Sequence, residues 1–476
     1  LRVGGAVQAD MTFTVSDITE FHKVAFKFKE NDFSLWIDGV EVRTDTSGST
    51  MPSGTLSKLS FSEINTAGGL FRGKTKAVAV WKEALSDQEL AELTYPTPTD
   101  PTFTLDFNTI AEQFTFARGS EATYVDAQGL IQSTASNNAP RLDYSTGAEA
   151  FLLEPQSTNL IPYSSDFSQW SVVNASVNAN ETISPDGTQN ASKLNATSVS
   201  SRIQQSLSFS GVNTISIFVK YAGDDVTVRF ERNTSNDRCS FDISSLGVVF
   251  NSAETGIIDY NVEEFSNDWY RISCSYDGGS YFQFNGDITG NGGSVYIWGA
   301  QAENLSYASS LIPSNGSQTT RNQETCINAT PEINSEEGVL YIDVAYLNDT
   351  GTFRTISIND GTNNNQVAIE NRPTSNQIKA FVVVEGVSVM NSTQTLTDVK
   401  SFNKMALKWN KDNFSWWVNG VKLHEDTSGD TFSNGTLTKL NFNNGIQNFP
   451  FEGNTKDLQI YTKALSDAEL IKLTTI

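Results

Sequence analysis

Short apolar runs with period-two alternation recur along the whole chain, separated by clusters of glycine, asparagine and serine. Period two places successive side chains on opposite faces of an extended strand, so the pattern predicts β-structure throughout. In Phe33-Ser34-Leu35-Trp36-Ile37-Asp38-Gly39-Val40 the alternation runs into Asp-Gly, and Phe414-Ser415-Trp416-Trp417-Val418-Asn419-Gly420-Val421 repeats it with Asn-Gly. Each predicts a hairpin, because a type I′ turn needs positive φ at both central residues. Ala84–Thr94 and Ala464–Thr474 read as helix instead. Both carry Ser-x-x-Glu (Ser86 and Glu89, Ser466 and Glu469), a capping box in which each side chain satisfies a free backbone N–H of the first turn. Leu90 and Leu93, like Leu470 and Leu473, then fall on one side of a short helix that is expected to close a domain.

These helices end two copies of one unit. Residues 21–94 align with 402–474 almost without gaps: Asp45-Thr46-Ser47-Gly48 answers Asp426-Thr427-Ser428-Gly429, and Phe71-Arg72-Gly73 answers Phe451-Glu452-Gly453. The succession of strand, hairpin, Phe-x-Gly, strand and capped helix resembles the concanavalin A-like, laminin-G-like jelly roll. The second copy has a full leader, from the alternating Gly338–Val344 through Phe381-Val382-Val383-Val384, whereas Leu1 stands near the counterpart of Val382. The expectation is a partial jelly roll over 1–95, a stiff Pro-rich linker over 96–101 and a complete jelly roll over 326–476, with strands ahead of Leu1 completing the first. The chain is then expected to be a segment of a longer polypeptide.

Between the copies stand Phe116-Ala117-Arg118-Gly119-Ser120-Glu121-Ala122-Thr123-Tyr124, Ala139-Pro140-Arg141-Leu142-Asp143-Tyr144, Leu152-Leu153-Glu154-Pro155-Gln156-Ser157-Thr158-Asn159-Leu160, Gly299-Ala300-Gln301-Ala302-Glu303 and Ile312-Pro313-Ser314-Asn315-Gly316-Ser317-Gln318-Thr319-Thr320-Arg321. Together these resemble a module recurrent in tail fibres and other appendages of tailed phages, covering 102–325, with a carbohydrate-binding-module-like β-sandwich from about 151. Ala117 and Ala302 depart from the usual Thr and Leu. The resemblance implies a non-catalytic virion fibre or appendage segment, on the virion surface, that presents lectin-like modules to host-surface glycan. Its implied partners are that glycan, other virion proteins and further copies of itself, a trimer among them. A secreted bacterial adhesin, the accessory binding region of a polysaccharide-degrading enzyme, or a purely structural spacer are the alternatives.

Composition sharpens this picture at a few points. A chain of 476 residues fits about three domains. Of the net charge of −23, the stretch 96–325 carries −15, which argues against a nucleic-acid or anionic-membrane partner. The acidity leaves a structural calcium site open, with no other cofactor expected. Cys239, Cys274 and Cys326 make no disulfide framework; Cys239 and Cys274 could pair, but buried free thiols are favoured. No apolar run approaches membrane-spanning length.

Catalytic signatures are not found. A glycoside hydrolase on this fold needs two carboxylates facing each other across a cleft, but no Glu-x-Asp-x-x-Glu occurs, and alternation sends adjacent Glu263 and Glu264 to opposite faces. His22 and His424 hold non-equivalent repeat positions, matched by Asn403 and Arg43, and read as surface residues. The chain is therefore expected not to be an enzyme. For glycan binding the candidates are Trp36 and Trp417, at equivalent positions on the second face of their strands, and Tyr281 and Phe282 between glycine-rich turns. The competing reading of the two tryptophans is core filling, and Trp269 and Trp298 read as core.

Overall fold

Alternation in the second repeat resolves into two facing antiparallel sheets in a computed structural model that describes residues 1–15, 18, 22–61, 71–75, 77–94, 100–231, 237–278 and 281–476. The protein is nearly all β and divides into two compact units, residues 1–99 and almost all of 100–476. Residues 96–99 of the Pro-rich linker lie outside the described residues.

The larger unit holds two sandwiches. In the first, Glu337–Tyr346 lies between Gly453–Tyr461 and Asn403–Asn410, and the sheet continues through Phe414–Val418 and Val421–Asp426. Leu340, Ile342, Leu407, Trp409, Trp416 and Ile460 point inward from it. They meet Ile356, Ile358, Val367, Ile369 and Ile378 from a five-stranded sheet that includes Arg354–Asn359, Gln366–Asn371 and Gln377–Val384. The opposite face of the first sheet is covered by the helix Asp467–Thr474, whose Leu470 packs with Trp417, Tyr341 and Tyr461.

This sheet does not stop at residue 326. Ala150–Leu153 pairs with Gly453–Tyr461 through Phe151 and Thr455, Phe103–Thr104 pairs with the same strand, and Phe114, Phe151 and Leu153 enter the same core. Phe103–Thr104, Arg141–Asp143 and Ala150–Leu153 thus extend the C-terminal sheet and cover an edge that would otherwise present unpaired N–H and C=O groups. A linear reading places that stretch with the middle module because its partner lies at the far end of the chain.

The second sandwich has six strands in each sheet. Ile203, Val228, Phe230, Phe241, Phe282 and Phe284 face Leu194, Ile215, Ile217, Ile272 and Ile297. Cys239 and Cys274 are buried free thiols in this core, and Cys326 is buried and free in the other.

The smaller unit carries the sheet Val24–Lys29, Asp32–Ile37, Val40–Asp45 and the helix Asp87–Thr94, with Trp36 and Leu90 buried as Trp417 and Leu470 are. Among the described residues no helix is long and apolar enough to cross a membrane.

Candidate functional site

Buried ion pairs hold together the motifs that carry the phage-module resemblance. Arg141 donates from Nε to Glu324 Oε1 at 2.9 Å, from a second nitrogen to Glu324 Oε2, and from Nη1 to Glu154 Oε2 at 2.7 Å. Arg118 reaches Glu324 at 2.8 Å and Arg321 reaches Glu154 at 2.8 Å. All five side chains are almost fully buried. Burial alone would raise the Glu154 carboxyl, but Arg321 and Arg141 outweigh it and, with hydrogen bonds from Ser310, hold it at about 2. The same groups fix a loop. Glu154 accepts from the Ser310 N–H at 2.8 Å, Glu303 accepts from the Ser309 N–H at 2.9 Å, and Gln301 accepts from the Ile312 N–H at 2.7 Å.

That loop forms one wall of a cleft of about 650 Å³ in the second sandwich. Ile131, Trp298 and Leu311, from an apolar cluster with Phe218 and Trp269, give it an apolar lining. Phe167, Val177, Ala179 and Pro313 add to the apolar part, and the polar part comes from Ser164, Ser165, Asp166 and Ser168 on one side, Asn180, Asp186, Asn190 and Ser192 on another, then Ser314 and Asn315. Among the described residues that line it, Asp166 and Asp186 are the charged ones.

Ser184-Pro185-Asp186-Gly187-Thr188 builds the wall nearest Asn190. Gly187 takes φ of +82°, the left-handed conformation that suits glycine. Asp186 accepts from Ser184 Oγ at 2.6 Å, from the Thr188 N–H at 2.8 Å and from Asn190 Nδ2 at 3.0 Å. Against the upward push of burial, these bonds hold its carboxyl below the usual range. They also commit the Asn190 amide nitrogen, so Asn190 Oδ1 is buried with no protein partner, as is Trp298 Nε1. Asn190 and Trp298 both line the cleft, but these two atoms are closed off from its space, and leaving either unsatisfied costs about 1–3 kcal/mol. The serine hydroxyls and asparagine side chains along the walls belong to chemical classes that can donate to or accept from a sugar hydroxyl.

None of the four binding candidates lines this cleft. Trp417 is 4% exposed beneath the C-terminal helix, with Nε1 donating to Ser415 Oγ, and Trp36 is 7% exposed with Nε1 donating to Ser34 Oγ. Neither offers a face for stacking: the sheet face they occupy is closed by a helix. Phe282 is wholly buried against Trp170 and Phe230, so it too is corrected to core. Tyr281 is half-buried on the other face of its strand, where burial and then Glu231 raise its hydroxyl's pKa. Trp298, read as core, is buried yet also lines the cleft.

The two capping boxes close as matched pairs. Ser86 N–H donates to Glu89 Oε2 at 2.8 Å and Ser466 N–H to Glu469 Oε2 at 2.7 Å; each serine Oγ accepts from its glutamate's N–H at 3.3 Å. His22 is not an idle surface residue: its Nδ1 lies 2.5 Å from Asp38 Oδ2 across the hairpin. Asn419 donating to Asn403 at 2.9 Å makes the same latch in the second repeat. Glu263 lies opposite Arg271 and Glu264 opposite Tyr270, so the two carboxylates do not face one another. Burial raises Glu263, but its neighbours Asp143 and Glu154 are engaged by Val125, Ser145 and guanidinium groups. Among the described residues no three His, Cys, Asp or Glu side chains gather closely enough to hold a metal ion.

No protein-family profile matches the chain, and no curated protein does. Solved structures resemble parts of it. The carbohydrate-binding module CBM40 of Ruminococcus gnavus IT-sialidase is 18% identical over 30% of this chain and 84% of its own, with a TM-score of 0.26. Leech intramolecular trans-sialidase is 21% identical over 30% of this chain and 24% of its own, with a TM-score of 0.25. Domains LG4-5 of mouse laminin α1 are 8% identical over 65% and 91%, with a TM-score of 0.20. Likeness this slight carries no ligand across. The cleft was not singled out from sequence: Pro185-Asp186-Gly187 carries a turn signal, but nothing local shows that Asp186 and Trp298 line one space.

Proposed function

We propose that the chain is a non-catalytic, lectin-like attachment protein of a tailed-phage appendage, and that its cleft takes a neutral, hydroxyl-rich glycan. The observation that carries the binding reading is the cleft of about 650 Å³ itself, in which Trp298, Ile131 and Leu311 lie beside serine hydroxyls, asparagine amides and two carboxylates. The lining selects against acidic sugars. Two carboxylates face the space with no lysine, arginine or histidine among them. At an effective dielectric near 20, an anionic sugar about 6 Å from one carboxylate would lose about 3 kcal/mol. The appendage role is supported by the motif resemblance over 102–325, whose buried charges Arg118, Arg141, Glu154 and Arg321 converge with Glu324 on one network. Host-surface polysaccharide is then the partner.

The test is a glycan array followed by calorimetry on the leading neutral ligand. Ala179→Trp, at an exposed rim position that leaves the core untouched, should weaken binding at least tenfold with unchanged melting. Fluorescent protein should label bacteria that display the glycan, and periodate oxidation of the surface should abolish labelling. Binding that survives Ala179→Trp, or no glycan bound at all, would overturn the reading.

A further inference from the structure

The two repeats match in sequence but not in burial. Phe28 is 41% exposed, while its counterpart Trp409 is fully buried; Leu59 is 68% exposed, and Leu440 is fully buried. Val80 is 72% exposed, and Ile460 is fully buried. Each buried counterpart belongs to the inner sandwich core of the second repeat. The helix-clasped face does not differ in this way, since Trp36 and Trp417 are both buried. One face of the first repeat is therefore finished, and on the other the strand Val24–Lys29 bares Val24, Phe26 and Phe28, although Phe33 opposite Phe28 is buried.

A second observation comes from strand pairing. Asn403–Asn410 is hydrogen-bonded on both sides, to Phe414–Val418 and to Glu337–Tyr346. Its counterpart Val24–Lys29 pairs, among the described strands, with Asp32–Ile37 alone. The repeat register nevertheless extends into the leader. The short hairpin Arg2–Val3 with Ala6–Val7 turns at Gly4 and Gly5, with φ of +57° and +88°. The hairpin Gln377–Val384 with Val387–Thr395 turns at Glu385 and Gly386, with φ of +50° and +82°. What covers the inner face of the second repeat is the stretch just before that hairpin, with Ile356, Ile358, Val367 and Ile369 pointing into the core.

We propose that the bare face and open edge of the first repeat are a docking surface for a β-segment of the 337–384 type, supplied by a further module of this repeat. Such a segment would present alternating Ile and Val to the face and add one strand beside Val24–Lys29. Scattered exposed apolar residues need no explanation, but a contiguous bare face marks an interaction site, and an unpaired strand is a template for another. A second copy of the same bare face is a poorer fit, because it would cover apolar surface while leaving both edges open.

The experiment places a duplicate of residues 326–381 directly ahead of Leu1 in the full chain and follows hydrogen–deuterium exchange by mass spectrometry. Exchange over 24–37 should slow at least a hundredfold relative to the unmodified chain, and binding of an apolar dye should fall, with the oligomeric state unchanged. Ile356→Asp with Ile369→Asp in the duplicate only should restore fast exchange and dye binding. Unchanged exchange in the fusion would overturn the proposal. Protection that appears in the unmodified chain with rising concentration, alongside dimer formation, would overturn it in favour of a second copy.

Discussion

Arg141→Met removes the centre of the buried ion network and should be among the most damaging single changes in the larger unit. The guanidinium is fully buried and serves two carboxylates at once. After the change Glu324 keeps Arg118 and Glu154 keeps Arg321, so neither is stranded, but two negative charges lose a shared cation. Each carboxylate loses charge-assisted hydrogen bonding worth about 1.5–3 kcal/mol, so the change should cost about 3–5 kcal/mol, a large part of the 5–15 kcal/mol that holds a typical domain. Acid supplies an internal control. Glu154 is depressed from 4.5 to about 2 in the folded protein. Its contribution is therefore present above the unfolded value and lost as pH falls toward 2. Two and a half units correspond to about 3 kcal/mol. With one of its cations gone, Glu154 in the variant should be less depressed and have less to lose. Urea melts followed by tryptophan fluorescence should show a deficit of about 3–5 kcal/mol at pH 7 that narrows by pH 3, with the slope unchanged. A deficit below 1 kcal/mol, or one that does not narrow in acid, would refute the idea that the network ties the motifs together.

Three further outcomes follow from the same geometry. Ser466→Ala should cost about 1 kcal/mol by opening the capping box, read as a shift in urea midpoint. Deleting residues 100–153 should destabilise the C-terminal sandwich by baring the Gly453–Tyr461 edge and removing Phe114, Phe151 and Leu153 from its core; a fragment 326–476 that melts as sharply as the longer chain would contradict this. Incubation with neutral and acidic polysaccharides should release no reducing ends or unsaturated products, and turnover abolished by Glu263→Gln would defeat the non-catalytic reading.

The sequence by itself determined the strands, the hairpins and the helix caps, because period-two alternation, Asp-Gly turns and Ser-x-x-Glu boxes act between residues a few positions apart. It also set the two-copy organisation, since Trp36 and Trp417, or Ser86 and Ser466, announce equivalence by identity alone. Which aromatic faces were free was not legible: alternation says that Trp417 and Trp416 face opposite ways, but not that a helix ending near the C-terminus covers one of them. Nor could spacing show that Ala150–Leu153 would join Gly453–Tyr461, or that Arg118, Arg141 and Arg321 would share Glu154 and Glu324. Those pairings join distant residues, and they are fixed by which edges need partners and which buried charges need counter-charges. The cleft belongs to the same class. Asn190 and Trp298 are ordinary residues in sequence, and only packing brings them to the walls of one cleft.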